Sequence, residues 1–128
     1  MLRILKRFIS NKLWYVPLVG TTSVRTAIDR AKHEGRPYCP PDAGDLLFTL
    51  VRANGYRRCL ETGFHTGSSA LYLLTAIDAQ DGDVTSICVD DDKTVAHGLQ
   101  LLEDAGCLER HRLMRVNSNR ALPELLLD

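Results

Sequence analysis

The chain has 128 residues, 45% of them hydrophobic and 25% charged, and its 16 basic and 16 acidic side chains cancel. That length holds at most one domain, and that composition excludes a disordered chain and a disulfide scaffold. Zero net charge supplies no global field for nucleic acid, so no nucleic-acid partner is expected.

From Met1 to Ile28 there is no acidic residue, whereas Arg3, Lys6, Arg7, Lys12 and Arg25 are basic. Leu2, Leu5, Phe8, Ile9 and Leu13 recur at helical spacing and predict an amphipathic basic helix. Such a helix packs on its own domain or a second subunit, rests weakly on an anionic membrane surface, or serves as a transit peptide. No apolar run approaches bilayer length. Pro17 and Gly20 should end this helix. A second, more polar helix is predicted over Ser23–Glu34, stopped by Gly35 and Pro37. Residues 1–36 thus read as a basic helical extension and 37–128 as the main domain. In "RPYCPPDAG" the prolines impose extended or turned backbone. Asp42 is then expected to cap a helix that ends near Gly55 and buries Leu46, Leu47, Leu50 and Val51.

From Tyr56 the pattern changes. A short strand is expected at Arg58–Thr62, then a helix over Ser68–Ala79 with Leu71, Leu74 and Ile77 on one side. Gly82 breaks it before the β-branched run Val84–Val89. Asp90–Asp92 should cap a helix through Val95, Leu99 and Leu102 that stops at Gly106. Arg112–Val116 reads as a third strand, and Leu122–Leu127 as a helix or an apolar connection. Strands alternating with helices predict an α/β fold with a parallel sheet and right-handed crossovers. Ligands bind such sheets at the carboxyl ends of the strands, here Glu61–Ser69, Cys88–Asp92 and Asn117–Asn119.

Cys39, Cys59, Cys88 and Cys107 form no CxxC pair, so no zinc or other metal site is expected. Cys59 and Cys88 lie in apolar runs and read as buried free thiols; with no signal peptide cleavage pattern, this points to a reducing cytoplasm. His33, His97 and His111 have no partner at metal-ligand spacing, and the last two read as structural. His65 lies in the glycine turn and is titratable near neutral pH. It reads as an exposed loop residue, or one whose backbone alone matters, ahead of a catalytic one. No catalytic base or metal is identifiable.

The turn "CLETGFHTGSSALYLL", Cys59–Leu74, carries the chemistry. A Walker A loop needs four residues between its glycines and a following Lys; here three separate Gly63 from Gly67, and Ser68 follows. A dinucleotide fingerprint needs G-x-G-x-x-G; position 65 is His and no later glycine completes the pattern, so NAD is the weaker, second choice. What remains is E-x-G-x-x-x-G-x-S at Glu61, Gly63, Gly67 and Ser69. That spacing suits a zwitterionic amino-acid ligand carrying a nucleoside. Glu61 can face an ammonium or sulfonium, Gly63 lets backbone pass close beneath, and the N–H groups opening the next helix can take a carboxylate.

At this point the sequence resembles a known family, the class I S-adenosylmethionine-dependent methyltransferases. It looks most like the small-molecule O-methyltransferases of the catechol and caffeoyl-CoA type. The resemblance runs from about Asp42 to Leu126. It rests on "PPDAGDLLFTLVRANGYRRCLETGFHTGSSALYLLTAI", "GDVTSICVDDD", "LLEDAGCLERHRLMRV" and "ALPELL" in that order. It implies a Rossmann-like three-layer fold, of which this chain carries the first three strands in spatial order 3-2-1. It implies S-adenosylmethionine as cofactor, methyl transfer to a small-molecule oxygen, and Glu61, Gly63, Phe64, Gly67 and Ser69 around the methionine end. Cys39 and Pro40 are further candidates.

The pattern departs in two places. Where the family places a carboxylate for the ribose at the end of the second strand, this chain has Cys88, a weak donor and acceptor, with Asp90 two residues on. Where the family places an Asp near the adenine, it has Asn117 or Ser118. The resemblance also implies later strands, including one beside the first strand. Without them the first strand is a bare edge open to a second copy or a partner chain, unless the N-terminal helices cover it. The expectation is a fragment, a truncated gene product or half of a two-chain assembly. The rival expectation is a non-catalytic relative acting as a structural or partner-binding subunit.

Overall fold

The structure is a computed structural model that describes residues 22–77 and 81–127. The expected helix near the start of the chain, with its Pro17–Gly20 stop, lies outside the described residues. Five α-helices and three strands alternate among those described: α1 (Thr22–His33), α2 (Pro41–Asn54), β1 (Arg58–Thr62), α3 (Ser68–Ile77), β2 (Asp83–Cys88), α4 (Asp92–Asp104), β3 (His111–Arg115) and α5 (Ser118–Leu125). A 3₁₀ turn, Leu108–Arg110, leads into β3.

The sheet has the order β1-β2-β3 with β2 central, and both pairings are parallel. Parallel neighbours need crossovers, and α3 and α4 supply them. Glu61 stands opposite Ser86, and Val84 opposite His111. By strand alternation Cys59, Glu61, Val84, Ser86, Cys88, His111 and Leu113 share one face. That face carries the main core, in which Val84 and Cys88 pack with Phe64 and the buried stripes of α1 to α4. On the other face α5 packs against β2, where Ile87 and Ala121 are buried. Helices on both faces make the three layers. Leu60, on that second face, remains 40% exposed.

α3 is the hub. Its Ala70, Leu71, Tyr72, Leu73, Leu74, Ala76 and Ile77 are all buried, so it is enclosed all round and not apolar on one side only. Sheet, α1, α2 and α4 all contact it. α1 contributes Val24, Ile28 and Ala31 to the shared core. Burial of side chains the size of Val24 and Ile28 stabilises by about 1.5–3 kcal/mol each.

α2 differs from expectation in its face and its start. Its buried residues are Gly44, Asp45, Phe48 and Val51, while Leu46 and Leu50 are 59% and 48% exposed. The cause is Gly44, which lets the Tyr72 ring of α3 lie directly against the α2 backbone; any Cβ there would overlap the ring. That contact turns the helix so that Leu46 and Leu50 face outward. The N-cap is Pro40, with Pro41 opening the helix, and Asp42 lies inside the first turn, where its Oδ1 accepts the Ala43 N–H. Gly55 ends the helix in the left-handed conformation, as expected. Asp45 and Arg25 pair across α1 and α2 at 3.3 Å beside Tyr72. Burial pushes the Tyr72 hydroxyl up to about 12.

The strands fall within one residue of expectation. β2 starts at Asp83 and leaves Val89 exposed, and β3 starts at His111. The last helix begins earlier than expected, at Ser118, because Asn117 caps it.

Candidate functional site

The loop from Gly63 to Gly67 converts β1 into α3. Gly63 (φ 88°) and Gly67 (φ 76°) take the left-handed conformation open to a residue without Cβ. The Gly63 N–H donates to the Ile87 carbonyl at 2.7 Å, extending the ladder beyond β1. The Gly67 N–H then donates back to the Phe64 carbonyl at 2.9 Å. α3 opens at Ser68, so the N–H groups of its first turn point out of the helix toward this loop.

Glu61 stands on the inward face of β1 just before the turn. Its Oε1 accepts the Ser86 hydroxyl at 2.7 Å and its Oε2 accepts the Ser69 hydroxyl at 2.8 Å. Burial pushes its carboxyl above the usual range, and the two hydroxyls pull it back. Its charge helps to raise the nearby Cys39 and Cys59 thiols, chiefly raised by burial.

The segment before α2 walls the loop. The Cys39 N–H donates to Ser68 Oγ at 2.7 Å, and the Thr66 hydroxyl donates to the Pro37 carbonyl at 2.6 Å. Between this segment and the loop lies a cleft of about 310 Å³, lined by Tyr38, Cys39, Gly63, His65, Ser68 and Ser69 among others. A second cleft of about 220 Å³ lies behind the loop between α1 and α4, where Arg36 pairs with Glu34 and Gln100 with Asp104.

The remaining residues singled out from the sequence fall in different places. Phe64 contributes backbone to the loop, but its ring is 1% exposed, stacked on the His111 ring at 4.8 Å and packed against Gly98. Cys88 is 4% exposed, and burial is the main cause of its raised thiol pKa. Asp90 turns to the glycine loop, where its Oδ2 accepts the His65 N–H at 2.9 Å. Asp91 caps α4 by accepting the Thr94 N–H and hydroxyl, and Asp92 pairs with Arg115 at 2.9 Å. Arg115 also donates to the Asp90 carbonyl at 2.7 Å, fixing the turn after β2. Asn117 lies past β3, two strand spacings or roughly 10 Å from β1. Its Oδ1 accepts the Asn119 N–H at 2.9 Å as the cap of α5.

Ser86, Thr66 and Ser68 were not singled out from the sequence as site residues, and His111 read as structural. Ser86 is fully buried and bonds both Glu61 and His111 Nε2 at 2.7 Å. The one sequence signal of Ser86 and His111 is a polar residue at an inward position of a strand, which becomes visible only once the register is known. Among the described residues no cluster of three or more His, Cys, Asp or Glu side chains is placed to hold a metal ion, and no helix is long and apolar enough to cross a membrane.

The fold recurs in solved methyltransferases. A methyltransferase from Podospora anserina with bound S-adenosylhomocysteine (SAH) superposes with a TM-score of 0.71 at 16% identity, covering 79% of this chain and 44% of that one. An O-methyltransferase of tomaymycin synthesis from Streptomyces achromogenes, in complex with S-adenosylmethionine, gives 0.67 at 24% identity over 81% and 47%. The O-methyltransferase from Bacillus cereus, in complex with SAH, gives 0.68 at 19% identity over 84% and 49%. The chain therefore spans less than half the length of each. No curated protein sequence matches it significantly. The sequence model of the O-methyltransferase family matches residues 24–128. On that match and this fold, the chain belongs to the O-methyltransferase family.

Proposed function

We propose that this chain supplies the cofactor-binding part of an S-adenosylmethionine-dependent methyltransferase whose acceptor is the oxygen of a small molecule. The observation that carries the reading is Glu61, a carboxylate held by Ser69 and Ser86 beside a glycine loop and the first turn of a helix. An acceptor-only group with both oxygens oriented suits a ligand ammonium. The outward N–H groups of α3 suit the carboxylate of the same amino acid. The donor set therefore fits the methionine end of the cofactor. When bound, the cofactor would supply an electrophilic sulfonium methyl group. The chain's own share is to bind, orient and shield: the Cys39 segment, pinned by Ser68 and Thr66, walls the cleft from water.

The ribose end fits less well. Cys88 is buried and offers no strong acceptor, and Asp90, the acid left to serve a diol, already accepts the His65 N–H and bonds the Cys88 thiol. Asn117 retains a second lone pair on Oδ1 with which to accept an adenine amino group. The family match supports an oxygen acceptor, and the cofactor-bound relatives support the cofactor. The four cysteines are free thiols, which suits a reducing cytoplasm. Calorimetric titration of the folded chain with SAH tests the reading. Binding at or below millimolar ligand is expected, and none on a chain that circular dichroism shows to be folded overturns it.

A second reading is favoured by one observation: β1 pairs only with β2, so no described strand pairs with its far edge, beside the exposed Leu60. An open edge of parallel sheet recruits another chain. On this reading the chain is a non-catalytic subunit that pairs along β1 with a second copy or a partner. A strictly monomeric mass by light scattering, alone and with cell extract, counts against it.

A further inference from the structure

His111 opens β3, two strands from the loop, and the reading above gives it no task. Its Nε2 lies 2.7 Å from Ser86 Oγ, and Ser86 Oγ lies 2.7 Å from Glu61 Oε1. The three form a chain across the sheet on its inward face, from β3 through β2 to β1.

Proton counting sets the direction of that chain. An ionised carboxylate only accepts, and a serine hydroxyl has one proton. Ser86 must spend its proton on Glu61, so the proton between Ser86 and His111 belongs to Nε2. A neutral His111 then has a bare Nδ1, which is buried with no hydrogen-bond partner. Leaving a buried nitrogen unpaired is costly, and the ring is nevertheless kept in this orientation by its stack on Phe64, at 4.8 Å and 23°. Phe64 belongs to the glycine loop and is itself packed against Gly98.

We propose that His111 is a positioning residue for Glu61: its Nε2–H, aimed at Ser86 Oγ, commits the single Ser86 proton to the carboxylate, and its stack on Phe64 makes that commitment depend on the folded glycine loop. The consequence is a carboxylate whose charge and direction are set before any ligand arrives. This rests on the reading of Glu61 as the acceptor for a ligand ammonium. The groups facing Glu61 are the hydroxyls of Ser69 and Ser86 and the thiols of Cys39 and Cys59.

The test needs no ligand. Long-range ¹H–¹⁵N correlation on the full chain at pH 7 reads the His111 tautomer, and ¹³C detection reads the Glu61 titration. The Nε2–H tautomer is expected. His111→Leu should raise the Glu61 midpoint by about half a pH unit or more, since it frees Ser86 to turn away. His111→Gln, whose amide can still donate to Ser86, should restore most of the shift. An Nδ1–H tautomer in the wild type overturns the proposal even if His111→Leu fails to fold. So does an unchanged Glu61 midpoint in a folded His111→Leu. Titrating the wild type with SAH separates the two readings, because failure to bind removes the ammonium assignment while the tautomer and midpoint still judge the relay.

Discussion

The backbone N–H of His65 donates to Asp90 Oδ2 at 2.9 Å, tying the glycine loop after β1 to the end of β2. His65 has φ 48°, a left-handed conformation that a side chain with a Cβ adopts at a cost. The Asp90 carboxylate is thus a latch on the loop. Arg115 holds the same turn from β3 through the Asp90 carbonyl.

Two substitutions separate the latch from the side chain of His65. His65→Gly should keep stability within about 0.5 kcal/mol, since relief of strain offsets the added unfolded-state freedom. His65→Val should lose about 1–2 kcal/mol, because a β-branched residue is poorly tolerated at positive φ. Asp90→Ala should lose about 1 kcal/mol. Urea midpoints check all three, and a stable His65→Val would show that the loop is not held in this conformation.

Glu61→Gln should weaken SAH binding by about 10- to 100-fold, the range of one hydrogen bond to a charged group. The same variant should be at least as stable as the wild type at pH 7. Burial raises the Glu61 carboxyl in the folded chain, so its stabilising share is present below the unfolded value of 4.5 and lost as pH rises through the folded value. At neutral pH the charge is a burden on the fold, which Gln removes. Loss of stability together with binding would contradict this assignment.

His111 gives the opposite pH dependence. Burial depresses it from 6.5 to about 4, so the neutral ring favours the folded chain above pH 6.5, and that advantage is lost as pH falls through about 4. Discounted for its partial exposure, the loss should be about 1–2 kcal/mol. Denaturation midpoints at pH 7 and pH 4.5 should differ less in His111→Gln than in the wild type. Equal differences would place the acid-sensitive group elsewhere.

Gly98→Ala should cost about 1–3 kcal/mol by overpacking. A Cβ at Gly98 would stand 2.5 Å from Phe64 Cε1 and 3.0 Å from the His65 carbonyl oxygen, so α4 would have to back away from the loop. A lowered thermal midpoint with intact far-ultraviolet dichroism is expected. An unchanged midpoint would mean that α4 does not approach the loop this closely.

Much of the fold was legible because short-range physics decides it. Gly55 and Gly106 adopt positive φ at the stops where they were expected, and each strand falls within one residue of its apolar or β-branched run. The glycine turn was legible because only residues without Cβ take the conformations of Gly63 and Gly67 without strain. The face of α2 was not legible. Leu46 and Leu50 look like a core stripe, yet the approach of Tyr72 to Gly44 turns them outward, and that approach joins residues 28 positions apart.

The sequence by itself determined the parallel α/β order, the glycine turn and its acidic neighbour, because each follows from periodicity or from the conformational freedom of single residues. Only the tertiary structure decided what that neighbour touches. Ser86 and His111 look like ordinary strand residues until the register sets Glu61 beside Ser86 and brings His111 within reach of both Ser86 and Phe64. The bond from the His65 N–H to Asp90 is likewise invisible until the loop bends back to the end of β2. Register and loop closure are relations between segments distant in sequence, and they arise when the sheet and its helices pack together.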